Sequence, residues 1–185
     1  MDDQICNVRR ALFKAGVAFA LTGLGARRAF AAIDPGRAEV RELAFYNLHT
    51  GESLKTAYWS KGEYLPEALA DINYVLRDFR NDQVHPIEPR LLDLLHGLQN
   101  TLDTIRPFQI ISGYRSPDTN ATLVANTDGV AKSSLHMQGM AIDLHVEGIP
   151  LDELRRAALS LHGGGVGYYP SSNFVHVDIG RVRHW

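Results

Sequence analysis

Two short segments in the second half of the chain alternate apolar and polar residues, and this pattern constrains the fold most. Residues 140–146 read Met-Ala-Ile-Asp-Leu-His-Val, and residues 174–179 read Phe-Val-His-Val-Asp-Ile. Alternation with a period of two is typical of strands that bury one face. The first strand therefore places Asp143 and His145 on one face, and the second does the same for its own histidine and aspartate.

If the two strands are neighbours, their polar side chains meet on one face of a sheet. Burying a carboxylate beside imidazoles costs several kcal/mol unless these groups are paired or bind a metal. His136 lies seven residues before Asp143, and Gly139 allows the loop between them to turn back over that face. We therefore interpret His136, Asp143 and His176 as the ligands of one metal ion. Two imidazoles, one carboxylate and a position left for water are typical of a hydrolytic zinc site.

Length, charge and cysteine content exclude several other classes of protein. A chain of 185 residues has room for one domain with one sizeable core. The formal net charge is −2, without the basic stripe of a nucleic-acid-binding protein, so we expect no nucleic-acid partner. The single cysteine, Cys6, excludes both a disulfide framework and a zinc site built from thiolates.

Residues 1–31 have the pattern of an export signal. Arg9 and Arg10 precede an apolar run, residues 15–25, that is shorter than the roughly 20 residues of a membrane span. The paired arginines resemble a twin-arginine signal, and small residues at a cleavage site end the segment. The alternative, an amphipathic helix of the domain itself, is disfavoured by three glycines. We predict a periplasmic protein exported by the twin-arginine route, with one domain over residues 32–185 and no membrane span once the signal is removed.

The remaining pattern predicts an α+β fold, in which a small antiparallel sheet carries the metal site and helices flank it. Apolar residues at helical or alternating spacing, together with proline and glycine, place the elements. The predicted strands are residues 43–48, 53–59, 108–111, 140–146, 164–169 and 174–179. The predicted helices are residues 66–80, 89–102, 117–126 and 151–162.

Four sequence blocks follow one another in a specific order. They are Ser-Gly-Tyr-Arg-Ser at 112–116, Ser-x-His-x-x-Gly-x-Ala-x-Asp at 134–143, Gly-Val-Gly-Tyr-Tyr at 165–169 and Phe-Val-His-Val-Asp at 174–178. In this order they resemble the D-Ala-D-Ala metallopeptidase family, which shares its fold with lysostaphin-type enzymes and the amino-terminal domain of hedgehog proteins. The similarity extends from about residue 43 to residue 185.

The resemblance implies a zinc peptidase domain with one zinc ion bound by His136, Asp143 and His176. It also implies that Arg115 contacts a carbonyl or carboxylate of the substrate, a task that suits the guanidinium fork. The expected function is hydrolysis of peptide cross-links in peptidoglycan, between D-Ala and diaminopimelate or between two diaminopimelate residues. Two alternatives stay open: a D-Ala-D-Ala carboxypeptidase, and a murein-binding module that holds a metal without turnover. In each case the partner is a peptidoglycan peptide stem.

The chain departs from the family pattern at the general base. Family members usually carry Glu-x-x-His or His-x-His at the last ligand, whereas Asn173 and Phe174 occupy those positions here. Asp178 and His145 are the candidate replacements, because each shares a strand face with a metal ligand. An unperturbed histidine titrates near 6.5 and suits a base at neutral pH. Asp178 is equally suited to orienting a ligand imidazole.

Three hydroxyl-bearing residues near these motifs are candidate substrate contacts beside Arg115. They are Tyr114, Ser116 and Ser134. For Ser116 there is an equally strong structural alternative, because a serine directly before a proline is typical of the first turn of a helix.

Overall fold

The computed structural model of the chain describes residues 40–126 and 131–185. The predicted export signal lies outside these residues, and its boundary at residue 31 stays a prediction. The described residues form an α+β fold, as predicted. Its helices are α1 (Pro66–Val75), α2 (Pro89–Thr101), α3 (Pro117–Asn126) and α4 (Leu151–Ser160). Its strands are β1 (Val40–Asn47), β2 (Ser53–Ser60), β3 (Glu63–Tyr64), β4 (Phe108–Ser112), β5 (Ala141–Val146), β6 (Gly165–Tyr169), β7 (Phe174–Asp178) and β8 (Arg183–His184).

The eight described strands form one sheet in the order β3-β2-β1-β4-β5-β7-β6-β8. The sheet is larger than predicted and mixed, because β1 pairs with β4, and β6 with β8, in parallel. The first parallel pair follows from the connection. After the β1–β2 hairpin the chain runs through α1 and α2 before it returns beside β1, and a crossover of that length permits parallel pairing. The short strands β3 and β8 were not predicted.

The apolar core lies on one face of this sheet. Along β5 the residues Ile142, Leu144 and Val146 are at most 2% exposed, and they belong to one cluster with the buried leucines of α2 and α4. The alternate positions of β5 therefore point to the opposite face, where the predicted metal ligands lie. No helix among the described residues is both long enough and apolar enough to cross a membrane.

Helix α1 ends at Val75, five residues before its predicted end. The reason is a set of tertiary hydrogen bonds. The carbonyl of Leu76 accepts from the amide of Tyr114 at 2.7 Å, and the amide of Asp78 donates to the carbonyl of Gln83 at 3.0 Å. Residues 76–80, which the periodicity assigned to the helix, instead form a segment whose backbone binds the loop after β4. That loop borders the candidate site.

Candidate metal centre

The pairing of β5 with β7 places Asp143 directly opposite His176. His136 arrives from a short 3-10 turn, Leu135–Gln138, just before β5. The turn closes at Gly139, whose φ of 65° is left-handed and costs glycine little. A Cβ at Gly139 would also overlap the carbonyl of Pro86. The turn predicted at this glycine is therefore present, and it brings His136 over the two strands.

One atom from each of the three residues meets at a common point. His136 Nε2 lies 3.2 Å from His176 Nδ1 and 3.3 Å from Asp143 Oδ1. The distance from His176 Nδ1 to Asp143 Oδ1 is 2.9 Å. Ligands bound tetrahedrally about 2.0–2.2 Å from zinc are about 3.3 Å apart, so this triangle has the dimensions of one face of such a site. Within the described residues, these three form the group that could hold a metal ion.

In each imidazole, the nitrogen that faces away from the common point has an acceptor as its partner, and this determines which nitrogen carries the proton. His136 Nδ1 lies 2.8 Å from the carbonyl oxygen of Gly113, which can only accept a hydrogen bond. His176 Nε2 lies 3.0 Å from Asp178 Oδ2, which also accepts. In the neutral imidazoles the lone pairs therefore lie on the two nitrogens that face each other and Asp143. Three electron-pair donors this close repel one another, and a bound cation removes that repulsion.

The electrostatic potential at this point favours positive charge. Burial alone would lower the pKa of His176, but the carboxylates of Asp143 and Asp178 outweigh burial and raise this pKa to about 9. Burial alone would raise the pKa of Asp143, but His136 and His176 outweigh it and hold this pKa well below its usual range. The field that keeps a proton on His176 also stabilises a metal ion at the same place. The site therefore favours a bound cation, and two imidazoles with one carboxylate are a donor set that suits zinc.

Arg115 enters the site from the loop between β4 and α3, with much of its hydrogen-bonding capacity unused. Its side chain is 12% exposed, and Nη2 lies 3.8 Å from Asp143 Oδ2, beyond hydrogen-bond distance. Nη1 makes a long contact of 3.4 Å to Asn120 Oδ1. The buried Nε has no hydrogen-bond partner among the described residues. A buried guanidinium with free donors suits an incoming carbonyl or carboxylate.

A cleft of about 610 Å³ opens over these groups. Among its described lining residues Asp143 is the one acid, and Arg115 and Arg183 are the basic residues. Three aromatic side chains also line it: Tyr169, Phe174 and Trp185. The rings of Tyr169 and Phe174 stack at 4.5 Å, and Trp185 Nε1 donates to the Tyr169 hydroxyl at 2.7 Å. The cleft therefore combines positive charge with flat apolar surface.

The two candidate bases lie outside this cleft lining. Asp178 is fully buried beneath His176, and its carboxylate accepts several hydrogen bonds, including the one from His176. His145 follows Asp143 on the same face of β5, as predicted, but it is not among the described residues that line the cleft. Its Nδ1 is buried without a partner among the described residues, and burial lowers the pKa of this imidazole.

The three candidate hydroxyls occupy different environments. Ser134 lines the cleft, and its Oγ accepts from the amide of His136 at 3.3 Å, so it also caps the ligand-bearing turn. Ser116 is fully buried, and its Oγ accepts from the amide of Thr119 in the first turn of α3. Tyr114 is 8% exposed and stacks against His85 at 4.7 Å. The structure brings only Ser134 of the three into the cleft lining.

Sequence reasoning missed two residues that support the site, Arg183 and Trp185. Arg183 binds both carboxylate oxygens of Asp178, at 3.1 and 2.7 Å. The indole of Trp185 packs against the His176 ring, with ring centroids 5.3 Å apart. The closing segment Arg183-His-Trp185 belongs to the resemblance to the metallopeptidase family, but it carried no assigned role. The sequence cannot indicate that the Gly113 carbonyl orients His136, because every residue has a backbone carbonyl.

The chain is similar in sequence to known proteins along its length. The family described as peptidoglycan L,D-endopeptidase MepK matches residues 36–185. The chain is 48% identical over 185 residues to the peptidoglycan L,D-endopeptidase MepK of Escherichia coli strain K12, covering 100% of both chains. It is 42% identical over 146 residues to the probable peptidoglycan L,D-endopeptidase MepK of Haemophilus influenzae, covering 78% of each chain.

Proposed function

This chain belongs to the peptidoglycan L,D-endopeptidase MepK family, and we propose that it hydrolyses peptide cross-links of peptidoglycan with a zinc ion bound by His136, Asp143 and His176. The relative from Escherichia coli strain K12, which matches along the whole chain, is named a peptidoglycan L,D-endopeptidase, and this name supports the proposed substrate class. One observation carries the zinc assignment. The three donor atoms are 2.9–3.3 Å apart, and the opposite nitrogen of each imidazole is bonded to an acceptor, so the neutral rings direct their lone pairs at the common point, beside an arginine whose Nε has no partner among the described residues.

A zinc ion at this site would supply an activated water at neutral pH and polarise the scissile carbonyl. The protein supplies the geometry around it. Asp143 and His176 are held by paired strands, and His136 by its turn and the Gly113 carbonyl. Arg115 orients the substrate carbonyl and stabilises the negative charge that develops on its oxygen. The three ligand side chains and Arg115 are held in place before the substrate binds, so the reaction does not require them to rearrange.

We assign to Asp178 the orientation of His176 rather than the removal of a proton. Hydrogen-bond donors already surround both of its oxygens, and it is fully buried. Burial alone would raise its pKa, but its bonds to His176 and Arg183 outweigh burial and hold the pKa well below its usual range. A carboxylate in that state is a weak base. We likewise place His145 outside the proton-transfer path, since it does not line the cleft.

We propose that the enzyme acts in the periplasm, delivered by the twin-arginine signal in residues 1–31. The substrate class supports this proposal, because peptidoglycan lies outside the inner membrane. Exchanging Arg9 and Arg10 for lysine in the full chain tests the export route. Fractionation should then find the protein in the cytoplasm, whereas unchanged periplasmic delivery would contradict this route.

Digestion of purified sacculi tests the enzymatic proposal. The zinc-loaded protein should convert cross-linked muropeptide dimers to monomers, as followed by mass spectrometry, and a chelator should stop the reaction until zinc is restored. Release of terminal D-Ala alone would instead indicate a carboxypeptidase, and binding without cleavage a murein-binding module. His136→Ala should abolish cleavage. His184→Ala, at an exposed histidine, serves as the matched control and should retain it.

A further inference from the structure

We propose that Arg183 is a positioning residue of the metal centre, which acts through Asp178 to present His176 Nδ1 to the ion. This inference rests on the proposed metal site and assigns a role to a residue that does not touch the ligand atoms. The chain of contacts has two steps. Arg183 binds the Asp178 carboxylate, and that carboxylate binds His176 Nε2.

The carboxylate of Asp178 is saturated with donors. Its Oδ1 accepts from the amides of Gly165 at 3.0 Å and Gly180 at 2.8 Å, and from Arg183 Nη1 at 3.1 Å. Its Oδ2 accepts from Arg183 Nη2 at 2.7 Å and from His176 Nε2 at 3.0 Å. Five donors fill about four lone-pair directions. The carboxylate therefore cannot rotate away from His176 without losing several hydrogen bonds.

Arg183 supplies the charged part of this anchor. A carboxylate that is 0% exposed is costly to bury unless a cation compensates it. The fork of the guanidinium binds both oxygens at once and sets the plane of the carboxylate, which a lysine cannot do. That plane decides the direction from which Oδ2 accepts the His176 proton, and hence the direction in which Nδ1 points.

The neighbouring backbone leaves room for this pair. A Cβ at Gly165 would overlap both Asp178 Oδ2 and Arg183 Nη1. Strand β8 lies parallel to β6, with Arg183 paired to Gly165, and the guanidinium occupies space that a side chain at position 165 would need. The guanidinium also lies 4.9 Å from the centroid of the Trp185 ring, which itself packs against His176.

Arg183 differs from Arg115 although both line the cleft. Both terminal nitrogens of Arg183 already bind Asp178, and Nη1 also donates to the Arg181 carbonyl at 3.1 Å. Arg115 keeps its Nε without a partner among the described residues. The terminal nitrogens of Arg183 are thus already bonded within the protein, whereas Arg115 has a donor available to a substrate. This difference predicts that Arg183 affects metal affinity, whereas Arg115 affects turnover.

Zinc affinity measured by competition with a chromophoric chelator tests the inference on the full chain. Arg183→Gln should weaken zinc binding about 10–100-fold, the usual effect of losing a partner that orients a ligand. Arg183→Lys should fall between this variant and wild type, because it restores the charge without the fork. Arg181→Gln removes an equal charge from a neighbouring exposed side chain and should leave affinity unchanged. The visible spectrum of the cobalt-substituted protein should change for Arg183→Gln and remain as in wild type for Arg181→Gln.

Two results would overturn the inference. One is wild-type zinc affinity and cobalt spectrum in Arg183→Gln together with a raised KM, which would make Arg183 a substrate-binding residue. The other is equal zinc affinity in the lysine and glutamine variants, with both folded by circular dichroism in chelator. If Arg183→Gln does not fold, the lysine variant decides alone, and wild-type affinity there would count against the inference. A wild-type protein that binds zinc but leaves sacculi intact would refute only the proposed function.

Discussion

The two faces of strand β5 differ in what they do for the protein. On one face Ile142, Leu144 and Val146 are buried in the core. On the other, Asp143 faces His176 across the strand pair and lies at the base of the cleft. The apolar face contributes stability by removing carbon from water. The polar face gathers three side chains that can each donate an electron pair to one metal ion.

This contrast implies that substitutions at neighbouring residues of one strand change different properties of the protein. A change on the polar face should alter metal binding and turnover, and a change on the apolar face should alter the free energy of unfolding. Because successive side chains on a strand point to opposite faces, adjacent positions on β5 serve as internal controls for one another. The predictions below test how cleanly the two roles separate.

The largest effect is expected for Asp143→Asn, which keeps the shape and removes the ligand charge. We expect kcat/KM for cross-linked muropeptides to fall about 10³-fold or more, because transition-state stabilisation by a bound metal is worth several kcal/mol. Zinc raises the melting temperature of a protein that binds it in the folded state. Thermal unfolding with and without zinc should show that rise for wild type and not for the variant. A variant that is still stabilised by zinc to the wild-type extent would separate Asp143 from the metal.

The next largest effect is expected for Arg115→Met, which preserves an unbranched side chain and removes the free donors. Loss of a donor that stabilises a developing oxyanion lowers kcat about 10²–10³-fold. Chelator competition should show no loss of zinc affinity, because Arg115 Nη2 lies 3.8 Å from Asp143 Oδ2 without a hydrogen bond, and removing this cation takes a repulsive charge away from the metal site. Arg90→Met, at an exposed position of α2, is the matched control. A large loss of zinc affinity in Arg115→Met would assign Arg115 to the metal site instead.

The sequence predicts the polar face better than it predicts what supports that face. The alternation in β5 and β7 and the turn at Gly139 follow from local rules, and they suffice to bring His136, Asp143 and His176 together. The supporting contacts depend on tertiary structure. The Gly113 carbonyl is positioned by the loop after β4, and Arg183 by a two-residue strand that is too short to show a period.

The end of α1 shows the same limit. The apolar spacing continues past Val75, but the carbonyl of Leu76 bonds to the Tyr114 amide, and so the chain leaves the helix. A periodic pattern reports which residues are buried in a segment. It does not report that a loop distant in sequence will compete for a backbone hydrogen bond.

A smaller effect is expected on the apolar face, for Ile142→Val. Removing one buried methyl group should lower the free energy of unfolding by about 0.5–1.5 kcal/mol, since Ile142 is fully buried. Urea denaturation in the presence of chelator measures this change without a contribution from bound metal. The kinetic constants and zinc affinity should equal those of wild type. A change in either would mean that packing beneath β5 determines the position of the adjacent Asp143, and the two faces would then be coupled.

The smallest effect is expected for His145→Gln, although this histidine shares the polar face with Asp143. It lies one strand repeat from the ligand and outside the cleft lining, so a proton transferred at the cleft has no short path to its ring. We expect kcat/KM within about twofold of wild type, since an essential general base would be worth about 10²–10⁴-fold. The pH profile of kcat/KM should also keep its acidic limb. A loss of that limb in the variant would restore His145 as the base, and it would show that the catalytic part of this face extends a full repeat beyond the metal ligands.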